Sequence, residues 1–329
     1  MSRFDLVAIG NAIVDVIAQV DDAFIDEHGI VRGAMNLIDT DRAAQLYAAM
    51  PPAREISGGS AANTVVGAAQ IGCSTAYIGK VRDDQLGQIF GHDIRAAKVH
   101  YDGPFASAES QLETARSFIL VSPDGERSMN TYLGVSTTLE SADIDAKLLE
   151  QADWLYLEGY LFDTPEAKEA YAKAIAATKR GGGRIAFTVS DPFCVERHRD
   201  DMLDLIRDHV DLLFANDAEA KSLARTDERE IALQTLSRMV DCAAVTLSAE
   251  GAIILRGDAR TAVPPQAVSV ADTTGAGDLF ASGFLAGQIR GHDDRASAHM
   301  GCIAAGEVIS HLGARPEANL ELLMEEQQF

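Results

Sequence analysis

The chain of 329 residues contains few basic residues: 28 Lys and Arg stand against 50 Asp and Glu, which gives a net charge of −22 with His neutral. Nucleic acids and anionic membrane surfaces would repel such a chain at long range, which argues against a general binder of either. The remaining composition, 47% hydrophobic and 24% charged residues, is typical of a globular protein. The length allows two domains, or one large α/β domain with an insertion.

Cysteines and long apolar segments are also scarce. The sequence has no CxxC pair and no histidine cluster that would complete a zinc site, and no segment approaches the roughly 18 uninterrupted apolar residues that a membrane helix requires. The apolar stretch within residues 1–20 is interrupted by Asp5 and Asp15, and we interpret it as a strand pair rather than a signal sequence. These features predict a cytoplasmic protein with free thiols.

Four common catalytic motifs are missing. The sequence contains no GxxxxGK(S/T), no GxGxxG directly after the first predicted strand, no HExxH and no GxSxG. These absences argue against P-loop NTPases, Rossmann dehydrogenases, HExxH metalloproteases and serine hydrolases.

Short apolar segments alternate with longer stretches of helical spacing. The apolar segments are 6–9, 154–157, 185–189, 212–214, 244–247 and 252–255. Stretches such as 165–180 and 217–224, rich in Ala, Glu and Lys, lie between several of them. Because short buried strands that alternate with helices favour a parallel sheet covered on both faces, the pattern predicts an α/β fold.

Other segments predict a second, smaller sheet. Residues 13–20, 33–38 and 53–57 resemble strands, and 117–121 with 128–133 indicate a hairpin around Pro123-Asp124-Gly125. We expect them to form a small lid over a cleft. The expected division is a core of 1–12, 58–100 and 138–329, with a discontinuous lid of 13–57 and 101–137.

The strongest local motif is Asp272-Thr273-Thr274-Gly275-Ala276-Gly277-Asp278, which is followed at once by a helical pattern. Glycines at a helix start let backbone N–H groups approach an anion, and the helix dipole adds partial positive charge there. The segment therefore predicts a phosphate cradle. Asp278 would act as the general base of a phosphoryl transfer, or it would only cap the helix.

A second glycine-rich helix start, Gly58-Gly59-Ser60-Ala61-Ala62-Asn63, indicates either a substrate-binding turn or an ordinary strand-to-helix turn. Asn63 offers both a donor and an acceptor to a polyol. Asp15 lies inside an apolar run and requires a partner, which a sugar diol, a lysine or a backbone N–H would supply.

Two further segments follow predicted strands. Asn216 and Glu219 lie three apart at a strand-to-helix junction, where they would hold magnesium through water beside a nucleotide or would form a helix cap. Thr246, Ser248 and Gly251 would contact a nucleotide as a turn, or would be a turn only.

Four segments together carry a resemblance to a known family: GNAIVDV, GGSAANTVVGAAQIG, NDAEAKSLA and DTTGAGDLFASGFLAG. In this order they resemble the ribokinase-like (PfkB) family of sugar and nucleoside kinases, nearly over the whole chain. The resemblance implies a doubly wound, mostly parallel sheet with helices on both faces and a small β-rich lid that closes over the acceptor.

The resemblance also implies roles on the phosphate side. The γ-phosphate of ATP would lie at residues 275–278, where Asp278 would deprotonate the primary hydroxyl of the acceptor. Asn216 and Glu219 would organise Mg²⁺. Arg127 would close onto the transferring phosphates, or would be an exposed turn residue.

On the acceptor side, the resemblance implies that Asp15, Gly59 and Asn63 hold sugar hydroxyls, with Asn11 as a further candidate. The sequence is most similar to the adenosine kinases of this family, because WLYLEGYLF and the segment 190–224 resemble theirs, and Ser60 suits a nucleoside site. Four residues would then line the base, or would belong to the core: Leu37, Met129, Tyr160 and Phe193.

We therefore expect an ATP-dependent kinase for the 5′-hydroxyl of adenosine or a similar nucleoside. The alternatives are a kinase of a free sugar or sugar acid, such as ribose, fructose or 2-keto-3-deoxygluconate, and a ligand sensor without catalysis. Cys302 stands near the ATP base where many relatives carry Asn or His, which leaves the choice between ATP and GTP open. Family members often respond to a monovalent cation, and both a monomer and a homodimer fit the resemblance.

Overall fold

The computed structural model describes residues 3–329, which form two main sheets and surrounding helices. The strands are β1 Phe4–Ile9, β2 Ile13–Gln19, β3 Met35–Leu37, β4 Arg54–Gly58, β5 Thr75–Ile78, β6 Val81–Arg82, β7 Phe105–Ala106, β8 Ala115–Val121, β9 Arg127–Tyr132, β10 Ala152–Glu158, β11 Arg184–Thr188, β12 Leu212–Asn216, β13 Cys242–Thr246, β14 Ala252–Arg256 and β15 Ala259–Val263. The helices are α1 Asp22–Glu27, α2 Thr40–Ala49, α3 Ser60–Gln70, α4 Gln85–Ala96, α5 Ala146–Leu149, α6 Pro165–Arg180, α7 Pro192–His209, α8 Asp217–Ala224, α9 Arg229–Met239, α10 Ala276–Ile289, α11 Asp294–Val308 and α12 Leu320–Glu326.

The larger sheet has the strand order β15-β14-β13-β12-β11-β10-β1-β5. Its pairs from β5 to β13 are parallel, and β14 and β15 add an antiparallel edge. Along β1, Leu6 and Ala8 pack with α3, α10 and α11 on one face, whereas Val7 and Ile9 pack with α6 to α9 on the other. Burial on both faces explains why these strands are short, almost wholly apolar segments, and the predicted α/β class is confirmed.

The smaller sheet has the order β3-β9-β8-β2-β4. Strands β8 and β9 form the predicted hairpin, in which the Gly125 N–H donates to Ser122 O at 2.9 Å and Gly125 has a φ of +84°. Strands β6 and β7 pair separately as a two-stranded ribbon. The division into a core of 1–12, 58–100 and 138–329 and a lid of 13–57 and 101–137 remains our proposal.

The amino-terminal stretch forms two strands, β1 and β2, as the sequence predicts. They do not pair with each other, since β1 lies between β10 and β5 in the large sheet and β2 lies between β8 and β4 in the small one. The segment Gly10-Asn11-Ala12 joins them without a hairpin turn. The chain therefore crosses from the core to the small sheet at the carboxyl end of β1.

The four cysteines are free, as the sequence predicts, and the structure shows that all four are buried: Cys73, Cys194, Cys242 and Cys302. Within residues 3–329, no helix is both long and apolar enough to span a lipid bilayer.

Candidate active site

A cleft of about 1070 Å³ lies where the carboxyl ends of the parallel strands face the small sheet. This edge of an open α/β sheet is where ligands commonly bind. The strands β10, β11, β12 and β13 each contribute a residue from their last position to the cleft wall: Glu158, Thr188, Asn216 and Thr246. The amino terminus of α10 and the start of α3 complete the wall.

Asp278 lies in the first turn of α10 and faces α3. Its Oδ1 accepts from Ser60 Oγ at 2.7 Å, and its Oδ2 accepts from Asn63 Nδ2 at 2.9 Å. The helix begins after Gly275, which has a left-handed φ of +77° and no side-chain cap. Both carboxylate oxygens thus bond to another helix, so the geometry does not support the alternative in which Asp278 only caps its own helix.

The ionisation of Asp278 is set by opposing effects. Burial raises the pKa of its carboxyl group, whereas the hydrogen bonds from Asn63 and Ser60 and the positive charge of Arg315 lower it. Hydrogen bonds donated to a carboxylate favour its charged form. The net shift of the pKa is upward because burial is the largest effect, and the two donors and the nearby cation limit that rise.

The start of α10 has the features of an anion site. The backbone N–H groups of Gly277 and Asp278 lie in the first helical turn, where no intrahelical acceptor is available. A Cβ on Gly277 would meet no atom within 4 Å, so space is open in front of these groups. Thr273 and Ala276 line the same part of the cleft. The helix dipole adds partial positive charge here.

Arg127 lies at the start of β9 and is not an exposed turn residue, since its side chain is 8% exposed. It forms an ion pair with Asp272, and its Nη1 donates to Thr274 Oγ1 at 3.3 Å. Its Nε and Nη2 are buried and have no hydrogen-bond partner among residues 3–329. Arg127 does not line the cleft itself. Its Nε and Nη2 are available donors close to the segment 272–274, which precedes α10.

Asp15 lies at the opposite side of the same cleft, in β2. It is 9% exposed, and no hydrogen bond to its carboxylate is found among residues 3–329. Burial raises its pKa to about 7, although Arg315 and Arg127 lower it. Asn63 Oδ1 is also buried and has no hydrogen-bond partner in the described part of the chain. Two sets of acceptor atoms in one cleft suit a ligand with several hydroxyl groups.

The turn before α3 requires both of its glycines. A Cβ on Gly58 would lie 2.3 Å from Asp15 Oδ2, so Gly58 supports Asp15 from behind and does not line the cleft itself. Gly59 has a φ of +99°, and a Cβ there would lie 2.2 Å from Asn11 O. Gly59 does line the cleft, together with Asn11 and Ser60.

We expect the Gly59→Ala variant to be about 3 kcal/mol less stable than the wild type, because it adds a backbone clash to the strain of a positive φ. The matched control is Gly182→Ala, since Gly182 has a φ of +80° and open space around its Cβ. The control should lose only about 1 kcal/mol. Urea unfolding measures both values, and equal losses in the two variants would show that the close approach to Asn11 is unimportant.

The acceptor side of the cleft has an apolar wall. Leu37 and Phe193 are 61% and 70% exposed, and Met129 and Tyr160 are partly buried. All four line the cleft, and the Tyr160 hydroxyl donates to Ser190 O at 3.3 Å. For Leu37 and Phe193, the exposure excludes the alternative of core packing.

Asn216 and Glu219 form a capping box at the start of α8. Asn216 N donates to Glu219 Oε2 at 2.8 Å, and Glu219 N donates to Asn216 Oδ1 at 2.9 Å. Glu219 is nevertheless buried rather than exposed, and burial raises its pKa to about 7. Both residues line the cleft. Within residues 3–329, no group of three or more His, Cys, Asp or Glu side chains is placed to hold a metal ion without other ligands.

The remaining predicted residues lie at the far end of the cleft, toward α11. Thr246, Ser248 and Gly251 line it at the end of β13 and the turn that follows. Gly251 has a φ of +89°, and a Cβ would lie 2.1 Å from Val263 O, so the turn itself requires this glycine. Cys302 also lines this end and is 5% exposed.

Sequence reasoning missed two charged residues, Glu158 and Arg315. Glu158 is fully buried and accepts from Asn11 N at 2.7 Å and from Ala61 N at 2.9 Å, and burial raises its pKa to about 7. The acid within the apolar run WLYLEGYLF was a signal for it, as for Asp15. Arg315 lies after α11 and bonds to the start of α3, and no motif marks it in the sequence.

Comparisons with known proteins agree with this geometry. The model of the pfkB family carbohydrate kinases matches residues 5–320. The structure of a probable sugar kinase protein from Rhizobium etli is 47% identical with a TM-score of 0.92, and the match covers 100% of this chain and 99% of that one. The structure of adenosine kinase from Sinorhizobium meliloti is 47% identical with a TM-score of 0.91, over 99% of this chain and 100% of that one. Adenosine kinase 1 of Arabidopsis thaliana is 26% identical over 342 residues, which cover 95% of this chain and 96% of that protein.

The fold and these similarities define a phosphotransferase that acts on an alcohol group. The chain belongs to the pfkB family of carbohydrate kinases, whose members similar to it include both adenosine kinases and sugar kinases.

Proposed function

We propose that this enzyme transfers the γ-phosphate of ATP to the 5′-hydroxyl of adenosine or a similar nucleoside. The observation that carries the proposal is a single cleft that joins three features. These are the Asp278 carboxylate at a helix start, the acceptor oxygens of Asp15 and Asn63, and the apolar wall with Leu37 and Phe193. A ribose requires the polar features, and a purine requires the wall.

The chain's own groups would then divide the work. The ribose hydroxyls would donate to Asp15 and Asn63, which places the 5′-hydroxyl near Asp278. Asp278 would accept the proton of that hydroxyl as its oxygen attacks the γ-phosphorus and the bond to the ADP oxygen breaks. The free N–H groups at Gly277 and Asp278 would bind the transferring phosphoryl group. Arg127 would supply positive charge behind it.

The start of α8 fits a hydrated Mg²⁺, because oxygen ligands with retained water are what this ion prefers. Asn216 and Glu219 would hold it through water. Bound Mg²⁺ neutralises charge on the phosphate oxygens.

We expect Glu219→Gln to raise the Mg²⁺ concentration for half-maximal activity by about fivefold or more, since the variant removes the negative charge that attracts the ion. Glutamine retains an oxygen that can accept from Asn216 N, so the two backbone bonds of the capping box are kept, and only the bond that Asn216 Nδ2 donates to Glu219 Oε1 is lost. Magnesium titrations of ADP formation measure the change. An unchanged Mg²⁺ requirement would mean that Glu219 serves the capping box alone.

The test of the proposed function is ADP formation by the purified protein with MgATP and single acceptors. The acceptors are adenosine, inosine, guanosine, ribose, fructose and 2-keto-3-deoxygluconate. Adenosine should give the highest kcat/KM. Activity with a free sugar only would overturn the nucleoside proposal and keep the mechanism. Binding of adenosine by calorimetry without any ADP formation would support the alternative of a sensor.

A kinase of a free sugar is the second candidate, because Asp15, Asn63 and Asp278 suit any polyol with a primary hydroxyl. The similarity to the probable sugar kinase protein from Rhizobium etli is as high as that to the adenosine kinase. The exposed wall of Leu37 and Phe193 favours the nucleoside, since a furanose offers no flat apolar face of comparable size.

A further inference from the structure

Arg315 joins the two ends of the glycine turn that precedes α3. Its Nε donates to Ser57 O at 2.9 Å and its Nη2 donates to Ser57 Oγ at 3.0 Å, just before the turn. Its Nη1 donates to Ala62 O at 2.9 Å, in the first turn of α3. Ala62 stands between Ser60 and Asn63, the two residues that hold Asp278. One guanidinium thus fixes the segment that carries both donors to Asp278.

Ser57 is held from a second side. Asp93 Oδ2, from α4, accepts from Ser57 N at 2.8 Å and from Ser57 Oγ at 2.6 Å. A second cavity of about 290 Å³ is lined by Arg315, Ser57, Asp93 and Asp15. Asp15 also lines the cleft, so the two spaces adjoin at this residue. Arg315 therefore does not line the cleft itself, but lies beside Asp15 in the adjoining cavity.

The surroundings of Asp278 are rich in acids. Besides Arg315, the titratable groups near Asp278 are Asp15 of β2, Tyr156 and Glu158 of β10, Tyr160 of the turn 159–163 and Glu219 of α8. Arg127 of β9 faces Asp15. Acids enclosed together disfavour one another's charged forms. An arginine remains protonated in proteins, so its charge is permanent here.

We propose, on the basis of the proposed kinase function, that Arg315 is a positioning residue for phosphoryl transfer: it fixes the turn before α3 and keeps a positive charge beside Asp278 and Asp15, which extends activity to lower pH. Arg315 touches no reacting atom in this assignment. It acts through Ser60 and Asn63 and through its charge.

The test compares the pH dependence of kcat/KM in Arg315→Gln, Arg315→Lys and the wild type. In Arg315→Gln, the low-pH limb of the kcat/KM profile, here called the acid limb, should shift to higher pH by about one unit. The reason is that the pKa of Asp278 rises when the cation is lost. Lysine keeps the charge but cannot form the three bonds, so Arg315→Lys should show a several-fold lower kcat with its acid limb near that of the wild type. An acid limb that shifts to higher pH by one unit in Arg315→Lys would overturn the role of the charge. An acid limb that stays in place in Arg315→Gln would overturn it as well.

The matched control is Arg290→Gln. Arg290 also donates to a backbone carbonyl of this region, Ile71 O, but at the opposite end of α3, about 16 Å from its start. Arg290→Gln removes an arginine bond to α3 as Arg315→Gln does, but it leaves the charges near Asp278 unchanged. The acid limb should therefore remain in place in this variant.

A second measurement does not depend on turnover. With ¹³C-labelled aspartate carboxyl groups in the full chain, the Asp278 resonance is identified by its absence in Asp278→Asn. Its titration midpoint should be higher in Arg315→Gln than in the wild type, and equal midpoints would contradict the inference. If the wild type forms no ADP with any acceptor, the proposed function fails, while this midpoint still decides the effect of Arg315 on Asp278.

Discussion

The Asp278→Asn variant should lose about 10³-fold or more in kcat and retain its affinity for ATP within about threefold, because an amide cannot accept the hydroxyl proton in the transition state. The variant should fold normally. The amide oxygen can accept from Asn63 Nδ2, and the Ser60 hydroxyl can rotate to accept from the new NH₂ group. Steady-state ADP formation gives kcat, and calorimetry gives the affinity for ATP.

The control is Asp294→Asn, which removes another first-turn aspartate from a neighbouring helix. Asp294 begins α11 and pairs with Arg256 rather than with any residue of the cleft. Its kcat should stay close to that of the wild type. If Asp278→Asn turned over as fast as this control, Asp278 would not be the base, and the phosphoryl transfer would need another proton acceptor.

The features that the sequence predicts well are those encoded within one short segment. The burial of β1 follows from four adjacent apolar residues, and the location of Asp278 follows from the glycines beside it. In both cases the local conformation or burial requires particular residue types at adjacent positions, so the sequence alone reveals it. Gly275 illustrates this, since its positive φ and its close approach to Ala314 exclude a larger side chain.

The features that were missed depend on contacts between distant segments. Arg315 bonds to residues more than 250 positions earlier in the chain, and Glu158 bonds to Asn11 across 147 positions. An arginine in a loop is usually exposed, and only the fold places this one beside the site. The exact partners of β1 and β2 depend on such contacts too, because two adjacent strands normally pair, whereas here each has its partners elsewhere in the chain.

The capping box of Asn216 and Glu219 shows how a structural and a functional role coexist. The hydrogen bonds engage both carboxylate oxygens of Glu219 and both polar side-chain atoms of Asn216, and both residues also line the cleft. A buried carboxyl group with a pKa near 7 is costly as a cap alone, since an exposed one would serve equally well. A nearby cation would offset that cost.

The Asp15→Asn variant should bind the acceptor about 10- to 100-fold more weakly, because hydrogen bonds from the acceptor hydroxyls to a charged carboxylate contribute about 1.5–3 kcal/mol each. The KM for ATP should not change. The variant should nevertheless be more stable than the wild type, with a larger free energy of unfolding. Burial raises the pKa of Asp15 from 3.8 to about 7, so the wild type loses stability as the pH rises through this interval.

Asparagine carries no charge, so this loss is absent, and Asp15→Asn should be more stable than the wild type at pH 8 by a value on the order of 2–4 kcal/mol. At pH 4 the two proteins should be nearly equal, since Asp15 is then protonated in the folded state. The control is Asp41→Asn, an exposed acid in α2 that lies outside the cleft, for which both KM and stability should stay unchanged. Acceptor KM values and urea unfolding at the two pH values measure these effects. A wild-type acceptor KM in Asp15→Asn would show that Asp15 does not bind the acceptor. A weaker acceptor affinity combined with higher stability would show that the buried charge destabilises the fold and is kept because it binds the acceptor hydroxyls.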